Sequence, residues 1–289
     1  MASDPAEPAA PDGTPISNPP PAKPPAYYFI DTPETLSSLL DTITALPTSP
    51  PSLYLDLEGI SLSRHGSISI LQLHVHPQDS TYLLDIHTLQ HTAFTTPSRT
   101  SSSTHTLKSL LESPSIPKVF FDVRRDSDAL HALFGISLAA VIDLQIMEFA
   151  TRKKPGNFVS GLSRCIERDA RLPRSRRRAW KECKEAGIKL FAPEQGGSYE
   201  VFNARPLRVE VGAYCVQDVS VMPKLWGVYE RKMGGDEELR EKVRRATEER
   251  VRASWESEFE GEGRHMAYGP WRNVEENTEE EMKGQMVNR

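Results

Sequence analysis

A mixed α/β sheet flanked by helices, with a helical extension behind it, is the fold class predicted by this 289-residue chain. Three observations carry it. Between residues 52 and 86, apolar β-type runs follow one another too closely for crossover helices, so they pair antiparallel. After residue 118, strand-like runs alternate with helical ones, which gives parallel strands with helices packed on them. Past Pro155 the apolar residues recur at helical spacing.

Taken in order, residues 1–26 are rich in Pro, with Ala, Asp and Ser between and no apolar periodicity, and read as a disordered tail. Tyr27 to Ile30 predicts a short strand. Asp31-Thr32-Pro33-Glu34 opens a helix with a capping residue, an early proline and an acid in the first turn; Leu36, Leu39, Leu40 and Ile43 form its apolar face, and it ends near Pro47. SLYLDLEGI at 52–60 is the first core strand. A turn at Arg64-His65-Gly66 leads to SISILQLHV at 67–75, and TYLLDI at 81–86 is the third member of the meander. Residues 91–106, dominated by Ser and Thr, read as a solvated loop insertion, after which Leu107 to Leu111 makes a short helix.

KVFFDV at 118–123 is a buried strand. RRDSDALHALFG follows it at once as a helix, with Ala129, Leu130 and Leu133 on one face and Gly135 as its stop. Ala140 to Leu144 is a short strand that leads into a helix through Phe149. GLSRCIERD and RSRRRAWKECKEAG then read as helices, followed by a long helix from about Arg205 to Lys232. Residues 236–259 place opposite charges three or four apart, as a solvent-exposed helix does. The expected organisation is a tail at 1–26, one domain at 27–232 with its insertion at 91–106, and a charged helical extension at 233–289.

Composition narrows the function. Hydrophobic content of 38% beside 26% charged residues is ordinary for a globular protein, and no apolar run is long enough to span a bilayer, so no membrane partner is expected. The first residues have neither the basic flank nor the apolar stretch of a leader, which predicts an intracellular protein without choosing between nucleus and cytoplasm. Cys165, Cys183 and Cys215 are widely spaced, fit a reducing compartment and form no zinc pattern. A net charge of −5 gives no global attraction to nucleic acid, so phosphate binding would need local basic patches or bound metal.

Asp56 and Glu58 are the candidate chemistry. On a strand, residues two apart share a face, so the two carboxylates point together while Leu55 and Leu57 point the other way. Held that close, they repel unless a cation or a proton lies between them, and hard carboxylate oxygens suit Mg²⁺ or Mn²⁺. An edge strand whose acids face water is the alternative, and the stretch alone does not choose.

Three further features do bear on it. Asp126 stands at a helix start just after a strand, and Tyr214 and Asp218, four apart, lie one above the other on a late helix. Asp56-x-Glu58, RRDSDAL at 124–130 and YCVQD at 214–218 together resemble, in order and spacing, the motifs of the DEDDy 3′-5′ exonucleases. These are the ribonuclease D and Werner-exonuclease-like family, with a ribonuclease H-like fold. The resemblance runs from about Tyr27 to Tyr229. It includes Asp143-Leu144-Gln145, Gly161-Leu162 and Arg205-Pro206-Leu207, and departs from the simplest members in the 91–106 insertion and the basic segment around 171–200. In the second motif the family's aspartate lies a few residues past its strand, which selects Asp126, leaving Asp122 as a strand-end residue and Asp128 solvated.

The resemblance implies a ribonuclease H-like mixed sheet and a hydrolase that shortens nucleic acid, RNA or DNA, from a single-stranded 3′ end. It implies two divalent ions, Mg or Mn, and release of nucleoside monophosphates. Asp56 would bridge both ions, Glu58 and Asp218 would complete one ion's site, Asp126 would hold the other, and Tyr214 would orient the attacking water. Arg174, Arg176, Arg177 and Arg178 would grip the nucleic-acid backbone, with Trp180 either a stacking surface or a core residue. Two rivals differ in class. One is a non-catalytic nucleic-acid-binding or scaffold protein that retains the exonuclease fold, which would be expected to have lost an acidic ligand; none is missing. The other is a different metal-dependent phosphate transfer, against which the Tyr-x-x-x-Asp helix argues.

Overall fold

The structure is a computed structural model that describes residues 26–99, 105–154 and 156–271. The expected tail, apart from Ala26, the middle of the Ser/Thr-rich insertion and the last part of the extension lie outside the described residues. Six strands make one sheet in the order β1-β4-β3-β2-β5-β6: β1 Tyr28–Ile30, β2 Leu53–Glu58, β3 Ile70–Val75, β4 Ser80–Asp85, β5 Lys118–Phe120 and β6 Val141–Asp143. β2, β3 and β4 form the antiparallel meander, while β1 joins β4, β5 joins β2, and β6 joins β5 in parallel. The mixed sheet predicted from the strand spacing is thus present, with β2 at its centre.

Eleven α-helices surround it among the described residues. α1 (Pro33–Ile43) starts at a capping box between Thr32 and Thr35 with Pro33 in its first turn, a device that contributes about 1 kcal/mol. α2 (Ile86–Leu89), α3 (Thr92–Thr95) and α4 (Leu107–Leu111) are short. α5 (Arg124–Phe134), α6 (Leu144–Ala150), α7 (Leu162–Asp169), α8 (Arg174–Phe191), α9 (Val209–Ser220), α10 (Met222–Met233) and α11 (Glu237–Ala253) complete the set. No described helix is long and apolar enough to cross a membrane.

Strand alternation divides β2 between two environments. Leu53, Leu55 and Leu57 enter a core with Leu36, Leu39 and Leu40 of α1 and Leu130 of α5. Tyr54, on the other face, packs with Val119, Leu144, Ile146, Leu225 and Tyr229. Each fully buried leucine stabilises by roughly 1.5–3 kcal/mol. A one-residue slip would exchange these leucines for Asp56 and Glu58, so the core fixes which way the carboxylates point.

Four local expectations change. The insertion is not wholly solvated: Ala93 and Phe94 of α3 are buried, and the Phe94 ring lies 4.6 Å from that of Phe134. The single helix expected from Arg205 to Lys232 is two, because Val221 separates α9 from α10 and Pro223 occupies the first turn of α10. α11 is not exposed all round; Val243, Ala246, Thr247, Arg250 and Val251 form a buried stripe against the domain. Asp128 is buried rather than solvated, accepting hydrogen bonds from Arg64 N (2.8 Å) and Arg64 Nε (2.7 Å). Long-range partners decide the last two, and charge pattern along the chain does not report them.

On β3, His74 is 2% exposed, with Nδ1 3.0 Å from Thr81 Oγ1, and burial pushes its pKa down to about 4. An unfolded histidine titrates near ~6.5. Stability from the neutral ring is therefore complete above that value and is lost as pH falls toward the folded value, by roughly 3 kcal/mol. His74→Gln should flatten this loss, read as the change in urea midpoint between pH 7 and pH 4.5. An equal drop in both proteins would dismiss it.

Candidate active site

Asp56 and Glu58 sit at the end of β2 that runs beyond its pairing with β5, which stops at Tyr54. On the same face, α9 crosses β2, β3 and β4 and brings Asp218 to them. One carboxylate oxygen each from Asp56, Glu58 and Asp218 lies within 4.8 Å of the others. Tyr214, one turn before Asp218, is buried, and its hydroxyl accepts a hydrogen bond from Lys184 Nζ at 3.1 Å beside these carboxylates.

Asp126 comes from the first turn of α5. It is 5% exposed and stands outside the three-carboxylate cluster, but near enough to feel Asp56, Glu58 and Asp122. Asp122, at a positive φ of 64°, pairs instead with Arg124, Nε donating at 2.5 Å.

The electrostatics follow from crowding. Burial, then repulsion from Asp218, pushes Asp56 up to about 7. Burial, then Asp56 and Asp218, holds Glu58 well above the usual carboxylate range. Burial followed by Asp56, Asp122 and Glu58 does the same to Asp126, and burial raises Asp218 despite a cation against it. Carboxyls this crowded are short of positive charge. Asp218 Oδ1 is buried without a hydrogen-bond partner. A hard, all-oxygen donor set with an unsatisfied oxygen suits a divalent ion of the Mg²⁺ or Mn²⁺ type.

The cation against Asp218 is Lys184, a residue outside the three motifs. Its Nζ donates to Asp218 Oδ2 at 2.5 Å and to Tyr214 Oη at 3.1 Å. Burial pushes Lys184 down, but the Asp218 carboxylate more than offsets this and holds its pKa above the ordinary value. A signal for it does exist in the sequence: Trp180, Lys184, Gly187 and Phe191 share one helical face, on which a lysine is out of place. Gly187 makes the approach possible, since a Cβ there would meet Tyr214 Cδ2 at 2.5 Å.

Two glutamines, Gln72 outside the motifs and Gln217 within the third, also serve the site. Gln72, opposite Asp56 in the β2–β3 register, donates to Asp56 Oδ2 (3.2 Å) and Cys215 O (3.0 Å), with its amide orientation assigned from these partners. Gln217, assigned likewise, accepts from Lys184 N (2.9 Å) and donates to Trp180 O (3.0 Å). A polar residue inside the apolar run SISILQLHV is the one sequence signal for Gln72.

Arg174, Arg176, Arg177 and Arg178 are not at the acids. They are exposed on the first turns of α8, the helix that carries Lys184 further along, and Arg178 pairs with Glu182 at 2.7 Å. Trp180 is buried at 6% exposure, packed as a core residue. Arg205, just before α9, donates through Nε to Asp85 Oδ2 at the end of β4 (2.6 Å) and anchors the entry to the Tyr214–Asp218 helix.

A family model described as 3′-5′ exonuclease matches residues 27–168. Among solved structures, ribonuclease D of Trypanosoma brucei in complex with RNA U12 is similar at a TM-score of 0.64 and 23% identity, over 82% of this chain and 74% of that one. Escherichia coli ribonuclease D, an exoribonuclease involved in structured RNA processing, gives 0.54 and 20%, over 80% and 51%. The catalytic core of RRP6 from Trypanosoma brucei gives 0.54 and 16%, over 80% and 52%. No curated protein matches the sequence.

Proposed function

We propose that the chain is a DEDDy-type 3′-5′ exonuclease of the ribonuclease H-like superfamily, a metal-dependent enzyme working by a two-metal mechanism. It would take a single-stranded 3′ end of RNA or DNA and release nucleoside monophosphates. The observation that carries this is the convergence of Asp56, Glu58 and Asp218 within 4.8 Å.

Asp56, Glu58 and Asp218, with Asp126 from α5, would hold the two ions. Bound there, Mg²⁺ or Mn²⁺ supplies an acidified water and neutralises charge on the phosphodiester. The chain's own groups do the rest. Tyr214, one helical turn before Asp218 and held by Lys184, would orient the attacking water. Gln72 holds Asp56 in one rotamer by donating to Oδ2. The core beneath β2 keeps Asp56 and Glu58 on the reacting face.

Degradation of 5′-labelled single-stranded RNA and DNA in Mg²⁺, Mn²⁺ or EDTA tests the reading. The expected result is a metal-dependent ladder shortening from the 3′ end. Binding without degradation in any metal would refute it.

The arginines on α8 would track the backbone of the strand. Changing Arg174, Arg176 and Arg177 together to Ala should weaken single-strand binding and reduce the salt slope by about 0.7 for each phosphate no longer neutralised. The maximal rate at saturating substrate should hold. An unchanged slope in a filter-binding titration would exclude the patch.

A further inference from the structure

We propose that Lys184 is a built-in counter-ion that occupies Asp218 in place of a divalent ion and so sets how tightly that ion binds. The inference rests on the metal-site reading above and concerns its regulation. Among the described residues, Lys184 is the one cation that bears on Asp56, Glu58 and Asp218 together. Its ammonium donates to Asp218 Oδ2 at 2.5 Å and to Tyr214 Oη at 3.1 Å, and lies 4.4 Å from the Tyr214 ring centroid. It therefore engages the two residues of the YxxxD helix that the chemistry needs. Asp218 Oδ1 is buried and unpartnered.

The placement is built in from the backbone upward. Buried Trp180 anchors α8, Gln217 accepts the Lys184 backbone N–H, and Gly187 lets the helix approach Tyr214. The lysine side chain is 16% exposed, so it has an outward path when Asp218 takes another ligand. Clustered carboxylates without any positive charge repel one another, and an ammonium on a long stem relieves this without holding the site closed. Asp218 Oδ2 cannot keep its hydrogen bond from Nζ and bind a metal ion along the same direction. An ion taken by Oδ2 must displace the ammonium, and one taken by Oδ1 binds with a like charge on the same carboxylate, so in either case its affinity is reduced.

Calorimetric titration of Mn²⁺ into the full chain tests this, using the wild type, Lys184→Met and Lys184→Arg, with metal-free thermal denaturation of each. Lys184→Met should bind Mn²⁺ about tenfold or more tightly, since a like charge has been removed from beside a ligand. It should also melt lower without metal and recover with it. Lys184→Arg keeps the charge and should bind as weakly as the wild type. Equal Mn²⁺ affinity in the wild type and Lys184→Met would overturn the counter-ion role while leaving the metal site standing. The same change in Met and Arg variants would overturn it too, as a loss of packing. No Mn²⁺ binding in any of the three would overturn the metal-site reading and this inference with it.

Discussion

Asp56→Asn should lose at least ~10³-fold in nuclease rate, and should make the metal-free protein more stable at pH 8 than the wild type. The first effect follows because Asp56 is central to the carboxylate cluster, and loss of several kcal/mol of charge stabilisation multiplies through the rate exponentially. The second follows from the sign of its titration. Burial and Asp218 raise the folded Asp56 pKa to about 7, whereas an unfolded aspartate ionises near its ordinary 3.8. Its contribution to stability is therefore complete below ~pH 4 and is lost as pH rises to about 7, a change on the order of 4 kcal/mol. Asparagine has no charge to lose. The urea midpoint of metal-free Asp56→Asn should thus exceed that of the wild type at pH 8 and approach it at pH 4.5. A variant that is inactive because it has misfolded would be less stable at both. Residual activity near the wild-type level would remove Asp56 from the site.

Much of this arrangement was legible in the sequence because it depends on short-range rules. Alternation along SLYLDLEGI places Asp56 and Glu58 on one face, and helical spacing stacks Tyr214 over Asp218; the structure has both. Strand spacing likewise predicted the meander and the parallel strands after it. What could not be read is what depends on pairing across the fold. Gln72 reaches Asp56 only because β3 pairs with β2 in one register, and Lys184 reaches Asp218 only because α8 lies along α9. The burial of Asp128 comes from Arg64, sixty-four residues away in the chain. Charge patterning failed on α11 for a related reason: its buried arginine has partners on other elements.

That arginine leads to the second large effect. Arg250→Met should destabilise the protein by about 3–5 kcal/mol and lower nuclease activity with it. Arg250 is 8% exposed, and its Nη1 donates to Asp143 Oδ2 at 2.8 Å. Asp143 is fully buried and also accepts from the backbone N–H groups of Asp122 (2.9 Å), Val123 (3.4 Å) and Gln145 (2.9 Å). It therefore pins the turn between β5 and α5, whose first helical turn carries Asp126. Methionine fills the space of the arginine stem but leaves the carboxylate without its cation in the interior. Asp143→Asn removes that charge while keeping an acceptor for the backbone, so it should rescue part of the loss. In a double-mutant cycle the two changes should cost less together than their sum, by more than ~1 kcal/mol. Strict additivity in denaturant midpoints would mean that the pair does not clamp the turn. Because α11 supplies Arg250, this cycle also measures how far a helix beyond the three motifs governs the placement of the second one.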